Sequence, residues 1–225
     1  RRLPLGFSSE FAKPTLTAGD EPLAGAGRLY ERHEGGLLSR ALGKAVHALL
    51  QQFAQLLVSQ TRETAVATLT RQQPRIAATI RAAGVEQATA SRIAAQAMQI
   101  VFQAAGDPLA QWILAPHAGA ASEARWTGVV AGSLRTVQVD RVFRAGPAPQ
   151  MIAASPSEET WWIIDYKTAH EDGLDAVSAL PELRRQFAAQ IEAYAAVLRN
   201  LRGARIRLCG GLYYPRMALF DYWQL

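Results

Sequence analysis

The sequence predicts an α/β protein, in which a helical first half is followed by a hairpin, a strand, a further helix and closing strands. Apolar residues recur at three- and four-residue spacing from Leu37 and again over residues 182–201, which predicts amphipathic helices. Runs rich in β-branched and aromatic residues occupy 122–144 and 161–168 and predict strands. With 225 residues and 49% hydrophobic content, the chain can bury one sizeable core.

The charge, hydropathy and cysteine content of the chain exclude several classes of protein. Lys and Arg number 24 against 19 Asp and Glu, so the net charge is +5, which suits a polyanionic partner. No apolar stretch reaches the roughly 18 residues of a membrane helix, and no signal peptide pattern begins the chain, so we expect a cytoplasmic protein without a membrane partner. The single cysteine, Cys209, excludes an internal disulfide and a four-thiolate metal site, and burial in the core is its expected role. The absence of an initiating methionine suggests a piece of a longer polypeptide.

The helical elements precede the strands. Residues 1–36 are rich in Gly and Pro and are expected to be a linker or an extended lead-in segment, with one domain over 37–225. An amphipathic helix is predicted from Leu37 to about Val58. The Ala-, Gln- and Arg-rich residues 61–105 predict two or three more helices, broken near Pro74 and Gly84, and a short helix ends at Leu114. Residues 61–115 are therefore interpreted as a helical insertion.

The β elements are bounded by turn residues. A hairpin is predicted around Gly132-Ser133, and a Pro- and Ala-rich loop separates it from the next strand. A polar loop from Ala169 to about Pro181 leads to the helix over 182–201, which should stop at Gly203. Aromatic residues near the C-terminus indicate a terminal edge strand. The predicted strands cover residues 122–131, 134–144, 161–168 and 205–214.

The run WWIIDYKT over residues 161–168 carries the first candidate site residues. Side chains alternate across a strand, so Asp165 and Lys167 project from the same face. A carboxylate beside an amine can hold a metal ion and a phosphate together, and burying the pair is costly unless the site binds something. The alternative is a structural ion pair at the end of a strand.

A second carboxylate, Asp140, lies 25 residues upstream inside another apolar strand. Two strands that each offer one acid can place both carboxylates on one divalent ion, and hard oxygen ligands of this kind suit Mg²⁺ or Mn²⁺. The alternative is a local ion pair of Asp140 with Arg141 or Arg144.

His47 follows Gly43 by one turn on the same face of the first predicted helix. A lone helical histidine is more often a packed or surface residue than a ligand, although imidazole is the commonest nitrogen donor to metals. Glycine inside a helix costs about 1 kcal/mol relative to alanine, and the close approach of another backbone would explain Gly43.

These elements follow one another in an order that resembles the RecB/AddA-type nucleases of the PD-(D/E)xK superfamily, over roughly residues 37–225. The resemblance implies a restriction-endonuclease-like core, with a mixed central β-sheet flanked by helices behind an N-terminal helical region. Glu123 lies where the family often has an acidic residue before the first core strand. The matching elements are Gly43-x-x-x-His47, Val139-Asp140-Arg141, Ile164-Asp165-Tyr166-Lys167-Thr168 and Gln190-x-x-x-Tyr194.

The resemblance also implies roles for individual residues. The metal ion, Mg²⁺ or Mn²⁺, would be bound by the ligands His47, Asp140, Asp165 and the backbone carbonyl of Tyr166. Lys167 would orient or activate the attacking water and offset charge on the phosphate. Gln190 and Tyr194, one helical turn apart, would line the site and contact DNA or steady Lys167. Ordinary helix packing is the alternative for this last pair.

The implied activity is that of a Mg²⁺-dependent, exonuclease V-like deoxyribonuclease in double-strand break repair and recombination. It would be the C-terminal part of a UvrD/RecB-like helicase-nuclease, cutting single-stranded DNA fed by a covalently linked motor and working beside a second helicase-nuclease subunit. Two features depart from the family: Val137 replaces a frequent glycine, and the four cysteines of the iron-sulfur branch are absent.

Two other functions remain open. One is a catalytically inactive, nuclease-fold DNA-binding or scaffold domain of a helicase complex. The other is a helical adaptor for a protein partner, suggested by the Ala- and Gln-rich residues 61–105, which would require a large apolar patch there.

Overall fold

A five-stranded mixed β-sheet with helices on both faces forms the core of the chain, which confirms the predicted α/β class and the helical region that precedes the sheet. The computed structural model describes residues 36–130, 132–146, 160–168 and 176–225, without the side chains of 176–179. The helices are α1 (Leu37–Leu56), α2 (Arg62–Thr70), α3 (Gln73–Ala82), α4 (Gln87–Gly106), α5 (Pro108–Leu114) and α6 (Ala176–Arg202). The strands are β1 (Ala118–Val130), β2 (Ser133–Ala145), β3 (Thr160–Tyr166), β4 (Leu208–Tyr214) and β5 (Leu219–Gln224).

Helices α1 to α5 form the helical region, and its boundaries follow local sequence. Side-chain oxygens of Thr61, Glu86 and Asp107 accept hydrogen bonds from the first free N–H groups of α2, α4 and α5. The predicted breaks near Pro74 and Gly84 are confirmed: α2 ends at Thr70 and α3 begins at Gln73, with Pro74 in its first turn. Proline is tolerated there because the N–H it lacks would have no partner within the helix.

The strands lie in the order β1-β2-β3-β4-β5, and only β3 and β4 are parallel. Helix α6 connects these two strands. The predicted hairpin is confirmed: Val130 pairs with Ser133, and Gly132 between them has a φ of +78°, which favours glycine. Strand β1 starts at Ala118, four residues earlier than predicted, because its Ala- and Gly-rich beginning still pairs with the end of β2. Strand β5 confirms the terminal edge strand.

Two apolar clusters lie on opposite faces of the sheet. One is formed with α1, α4 and α5, and the other with α6. Gly210 of β4 allows close packing of α6 in the second cluster, since a Cβ atom there would collide with Ile191. Gly211 faces the first cluster, where a Cβ atom would collide with Phe220. Cys209 between these layers is buried, as predicted, and burial raises the pKa of its thiol.

Helix α6 is longer than the sequence indicated. It begins at Ala176, so the predicted loop is wrong for residues 176–181, whereas its residues 169–175 lie outside the described part of the chain. Pro181 sits inside the helix because its fixed φ is close to the helical value, although it removes one N–H donor. The predicted stop is confirmed at Gly203, where φ is +108°. Strand β4 starts at Leu208, three residues later than predicted.

Residues 1–35, the predicted lead-in segment, and residues 147–159 of the predicted loop also lie outside the described residues. The domain boundaries and the interpretation of residues 61–115 as an insertion stay predictions. Within the described residues, no helix is both long and apolar enough to cross a membrane.

Arg141 ties the end of α5 to β2. This buried side chain donates hydrogen bonds to the carbonyls of Ile113 (3.1 Å), Leu114 (3.3 Å) and Ala115 (2.7 Å), and to the hydroxyl of Ser122 (3.1 Å). The last carbonyls of a helix have no partner inside it, so the guanidinium satisfies groups that would otherwise be buried unpaired.

We therefore expect Arg141→Leu to lower the free energy of unfolding by about 3 kcal/mol, because the carbonyls of α5 lose a charged donor. Urea denaturation followed by circular dichroism measures the effect. Arg81→Leu at an exposed position is the matched control and should stay within about 0.5 kcal/mol of wild type. Equal stability of the two variants would contradict this role of Arg141.

Candidate active site

Asp140 lies where β2 leaves the ladder that it forms with β3. The last pair of that ladder is Arg141 with Ile164. Because the strands are antiparallel, the next position places Asp140, the residue before Arg141, opposite Asp165, the residue after Ile164. The carboxylate of Asp140 is buried, and its Oδ2 accepts a hydrogen bond of 2.7 Å from the backbone N–H of Tyr166. Arg141 points to α5, so it does not form the local ion pair with Asp140 that was one of the two alternatives.

A slip in the strand alternation turns Asp140 towards α1. Val139 and Val142 both pack in the cluster on the α6 side, although regular alternation would place residues three apart on opposite faces. Glu123 lies opposite Asp140 in the register of the hairpin and has a φ of +52°. The residues on either side of these two are paired across the strands, but Glu123 and Asp140 themselves are not. Asp140 therefore reaches the side of the sheet on which α1 lies.

His47 of α1 meets Asp140 there. Its Nδ1 lies 3.3 Å from Asp140 Oδ1, and its ring packs edge-to-face against Tyr166 with centroids 5.7 Å apart. Gly43, one turn earlier, explains how α1 comes so close: a Cβ atom there would lie 3.2 Å from Thr168 Oγ1. The approaching group is thus a side chain two residues after β3, and not the backbone that was expected from the sequence.

Glu123 completes a group of possible metal ligands. One ligand atom each from His47, Glu123 and Asp140 lies within 4.8 Å of the others. Two carboxylate oxygens and an imidazole nitrogen suit a small divalent cation such as Mg²⁺ or Mn²⁺, and the residues present fit such an ion. Asp165 lies outside this group, and its role as a ligand, like that of the Tyr166 carbonyl, stays a prediction.

Asp165 forms an ion pair with Lys167. The ammonium Nζ lies 2.7 Å from Asp165 Oδ2, donates to Gln190 Oε1 at 3.2 Å, and lies 3.7 Å from the centroid of the Phe187 ring. The amide of Gln190 in turn donates to the hydroxyl of Tyr194. Gln190 therefore contacts Lys167 from α6, and Tyr194 contacts Gln190 while it packs in the apolar cluster on that face. Their roles at the site stay predictions.

Electrostatics link the two parts of the site. Burial lowers the pKa of His47, but the charge and hydrogen bond of Asp140, with the charges of Asp165 and Glu123, outweigh it and raise this pKa to about 9. Burial raises the pKa of Asp165, against the opposing charge of Lys167. Without a cation, His47 is thus protonated at neutral pH and compensates the surrounding acids, and a bound metal ion would displace that proton.

Sheet and site together define an α/β protein with a candidate divalent-cation centre beside an acid-lysine pair. The family model described as the PD-(D/E)XK nuclease superfamily matches residues 24–218. The chain belongs to the PD-(D/E)XK nuclease superfamily, whose nucleases use divalent metal ions. None of the curated proteins compared with the chain matches it.

Glu123 is the site residue that the sequence analysis did not include among the ligands. It lies inside β1, within the strand that was predicted over residues 122–131. The hairpin itself carries the signal that could have found it: a tight turn at Gly132 that pairs Val130 with Ser133 sets Glu123 opposite Asp140.

The adaptor alternative required an apolar patch on residues 61–105, and the structure does not show one. The large apolar side chains that are strongly exposed in the described part of the chain all lie elsewhere, and they are Leu37, Leu38, Val58, Val129, Leu134 and Leu201.

Proposed function

We propose that this chain is a divalent-metal-dependent deoxyribonuclease that hydrolyses phosphodiester bonds at the site built from His47, Asp140, Asp165 and Lys167, with Glu123 as a further ligand. The observation that carries the proposal is the convergence of three cation-binding side chains from α1, β1 and β2 next to the Asp165–Lys167 pair. A metal centre can activate water for phosphodiester hydrolysis, and a fixed amine can stabilise the negative charge that develops on the phosphate.

Each group has a defined task in this proposal. His47, Glu123 and Asp140 hold the cation, and Asp165 adds an oxygen, since a carboxylate can bind a cation while it accepts a hydrogen bond from Lys167. The bound ion supplies a water of lowered pKa and polarises the phosphate oxygens. The ammonium of Lys167 lies where it offsets the charge that develops on the phosphate.

Gln190 and Tyr194 act as positioning residues. Gln190 accepts from Lys167 and donates to Tyr194, so the amine is held from α6 as well as from β3. A fixed amine loses no rotational freedom when the substrate binds, which lowers the cost of reaching the transition state.

The ordered motifs from Gly43 to Tyr194 support a finer assignment to the RecB/AddA type. In this proposal the chain is the nuclease module of a cytoplasmic, ATP-dependent helicase-nuclease of the exonuclease V type. The enzyme acts on single-stranded DNA in double-strand break repair. Its other parts are a linked UvrD-like motor and a second subunit. Mg²⁺ is the expected physiological ion.

Cleavage of an end-labelled single-stranded oligonucleotide tests the proposed activity. We expect cleavage with Mg²⁺ or Mn²⁺ and none with excess EDTA, because the acids and His47 cannot activate water without the ion. Denaturing gel electrophoresis measures the products, and adding Mg²⁺ back to the EDTA-treated protein should restore cleavage.

Binding of the oligonucleotide without cleavage under any divalent ion would contradict the proposal. That result would favour the alternative of an inactive DNA-binding domain of the same fold. Cleavage that persists in EDTA would contradict the role of the metal.

A further inference from the structure

Strands β1 and β2 continue beyond the rest of the sheet as a two-stranded ribbon. Strand β2 pairs with β3 only from Arg141 to Ala145, whereas it pairs with β1 as far as Ser133. The ribbon of residues 124–130 and 133–139 therefore extends roughly 20 Å past Asp140, at about 3.3 Å per residue.

One face of the ribbon is covered by α6. Ala124, Trp126 and Val137 pack in the cluster on that side, and Gly128 lets Val197 come within 3.3 Å of where a Cβ atom would be. The side chain of Asn200 donates to the carbonyl of Val129 at 2.6 Å. Helix α6 thus packs against one face of the ribbon and leaves the opposite face uncovered by α6.

The other face is exposed and carries three cross-strand pairs in line with the candidate metal centre. These pairs are Arg125 with Gln138, Thr127 with Thr136, and Val129 with Leu134. A hydrogen-bond chain joins the first pair to the metal ligands, because Gln138 donates to Glu123 and accepts from Arg125 at 3.0 Å. The hydroxyls of the second pair lie 2.9 Å apart.

The chemistry of this face is complementary to a polynucleotide backbone. The three exposed pairs include one arginine, Arg125, and no acidic residue, although acids crowd the adjacent metal centre. A guanidinium, an amide and two hydroxyls are the side-chain groups that contact phosphate and sugar oxygens. Successive pairs are about 6.6 Å apart along the ribbon, which is close to the spacing of phosphates in an extended strand.

The far end of the same face favours a single strand over a duplex. Val129 is 53% and Leu134 is 74% exposed, and together they form an apolar surface at the tip. An unstacked base offers an apolar ring face to such a surface, whereas the bases of a duplex keep their faces stacked on one another.

We infer that the exposed face of the β1–β2 ribbon, from Arg125 and Gln138 through Thr127 and Thr136 to Val129 and Leu134, binds the single polynucleotide strand that leads into the metal centre. The inference rests on the proposed function, because that strand is the substrate of the proposed nuclease. It adds a binding track of about three nucleotides.

Fluorescence anisotropy with labelled oligo-dT of 20 nucleotides in EDTA tests the track without cleavage. Arg125→Gln should weaken binding about 3- to 10-fold and reduce the slope of log K against log salt by about 0.7, because one phosphate contact is lost. The double variant Thr127→Val, Thr136→Val should weaken binding by a similar factor without changing the slope, because only neutral hydrogen bonds are lost.

Arg81→Gln on α3 is the matched control for the loss of an exposed arginine and should change neither quantity. Thermal melting by circular dichroism checks that every variant is folded. Wild-type affinity in both ribbon variants, or no binding of oligo-dT by the wild type, would overturn the inference. An equal loss for a 20-base-pair duplex would overturn the preference for a single strand.

The cleavage assay separates this inference from the proposed function. Cleavage by the wild type together with unchanged binding by the ribbon variants means that the track alone is wrong. Weakened binding by those variants together with an inactive wild type means that the track is right and the nuclease assignment is wrong.

Discussion

Replacing Asp140 with asparagine is expected to reduce DNA cleavage by on the order of 10³-fold or more. Asp140 contacts both His47 and the backbone of Tyr166, and it belongs to the group of cation ligands. An amide keeps the shape but loses the charge that holds the ion, so Mn²⁺ binding measured by calorimetry should fall as well.

Glu192→Gln is the matched control for Asp140→Asn, because it removes one carboxylate charge at an exposed position of α6. It should leave both cleavage and Mn²⁺ binding unchanged. An Asp140→Asn protein that binds Mn²⁺ as tightly as the wild type would show that the ion is held elsewhere.

Lys167→Met is expected to lower the rate of single-turnover cleavage by about 10²- to 10³-fold, because a charge fixed near the scissile phosphate is lost. Methionine preserves most of the apolar stem of the side chain and removes the ammonium group, which lies over the Phe187 ring. Unlike Asp140→Asn, this change leaves His47, Glu123 and Asp140 in place, so Mn²⁺ binding should persist.

The comparison of cleavage rate with metal affinity thus separates the two halves of the site. Thermal melting of Lys167→Met checks for misfolding, since the buried Asp165 loses its partner. A Lys167→Met protein that is folded and cleaves DNA at the wild-type rate would contradict the role given to the amine.

Local patterns predicted most of the fold. The helical spacing after Leu37, the turn at Gly132 and the stop at Gly203 each correspond to an observed boundary, because each depends on neighbours in the chain. The start of α6 was missed because Pro181 is a common helix breaker, and the start of β1 because its alanines and glycines have low β-propensity. These boundaries depend on partners distant in sequence.

The candidate site was predicted in part. The i and i+2 spacing of Asp165 and Lys167 predicted that they lie side by side, and the ion pair is observed although β3 ends at Tyr166, two residues earlier than predicted. The role of Glu123 as a possible ligand could not be predicted from local spacing in the same way. Its approach to His47 and Asp140 depends on a slip in strand alternation that nothing in the local sequence requires.

By itself, the sequence determined the class of fold, the acid-lysine pair and the helix that carries His47, because period, propensity and turn chemistry act over a few residues. Only the tertiary structure decided that α1 reaches β3 at Gly43 and Thr168, that Glu123 joins the cation ligands, and that the ribbon beyond them has one free face. These features arise where segments far apart in the chain pack together, and packing depends on shape and register that no single segment contains.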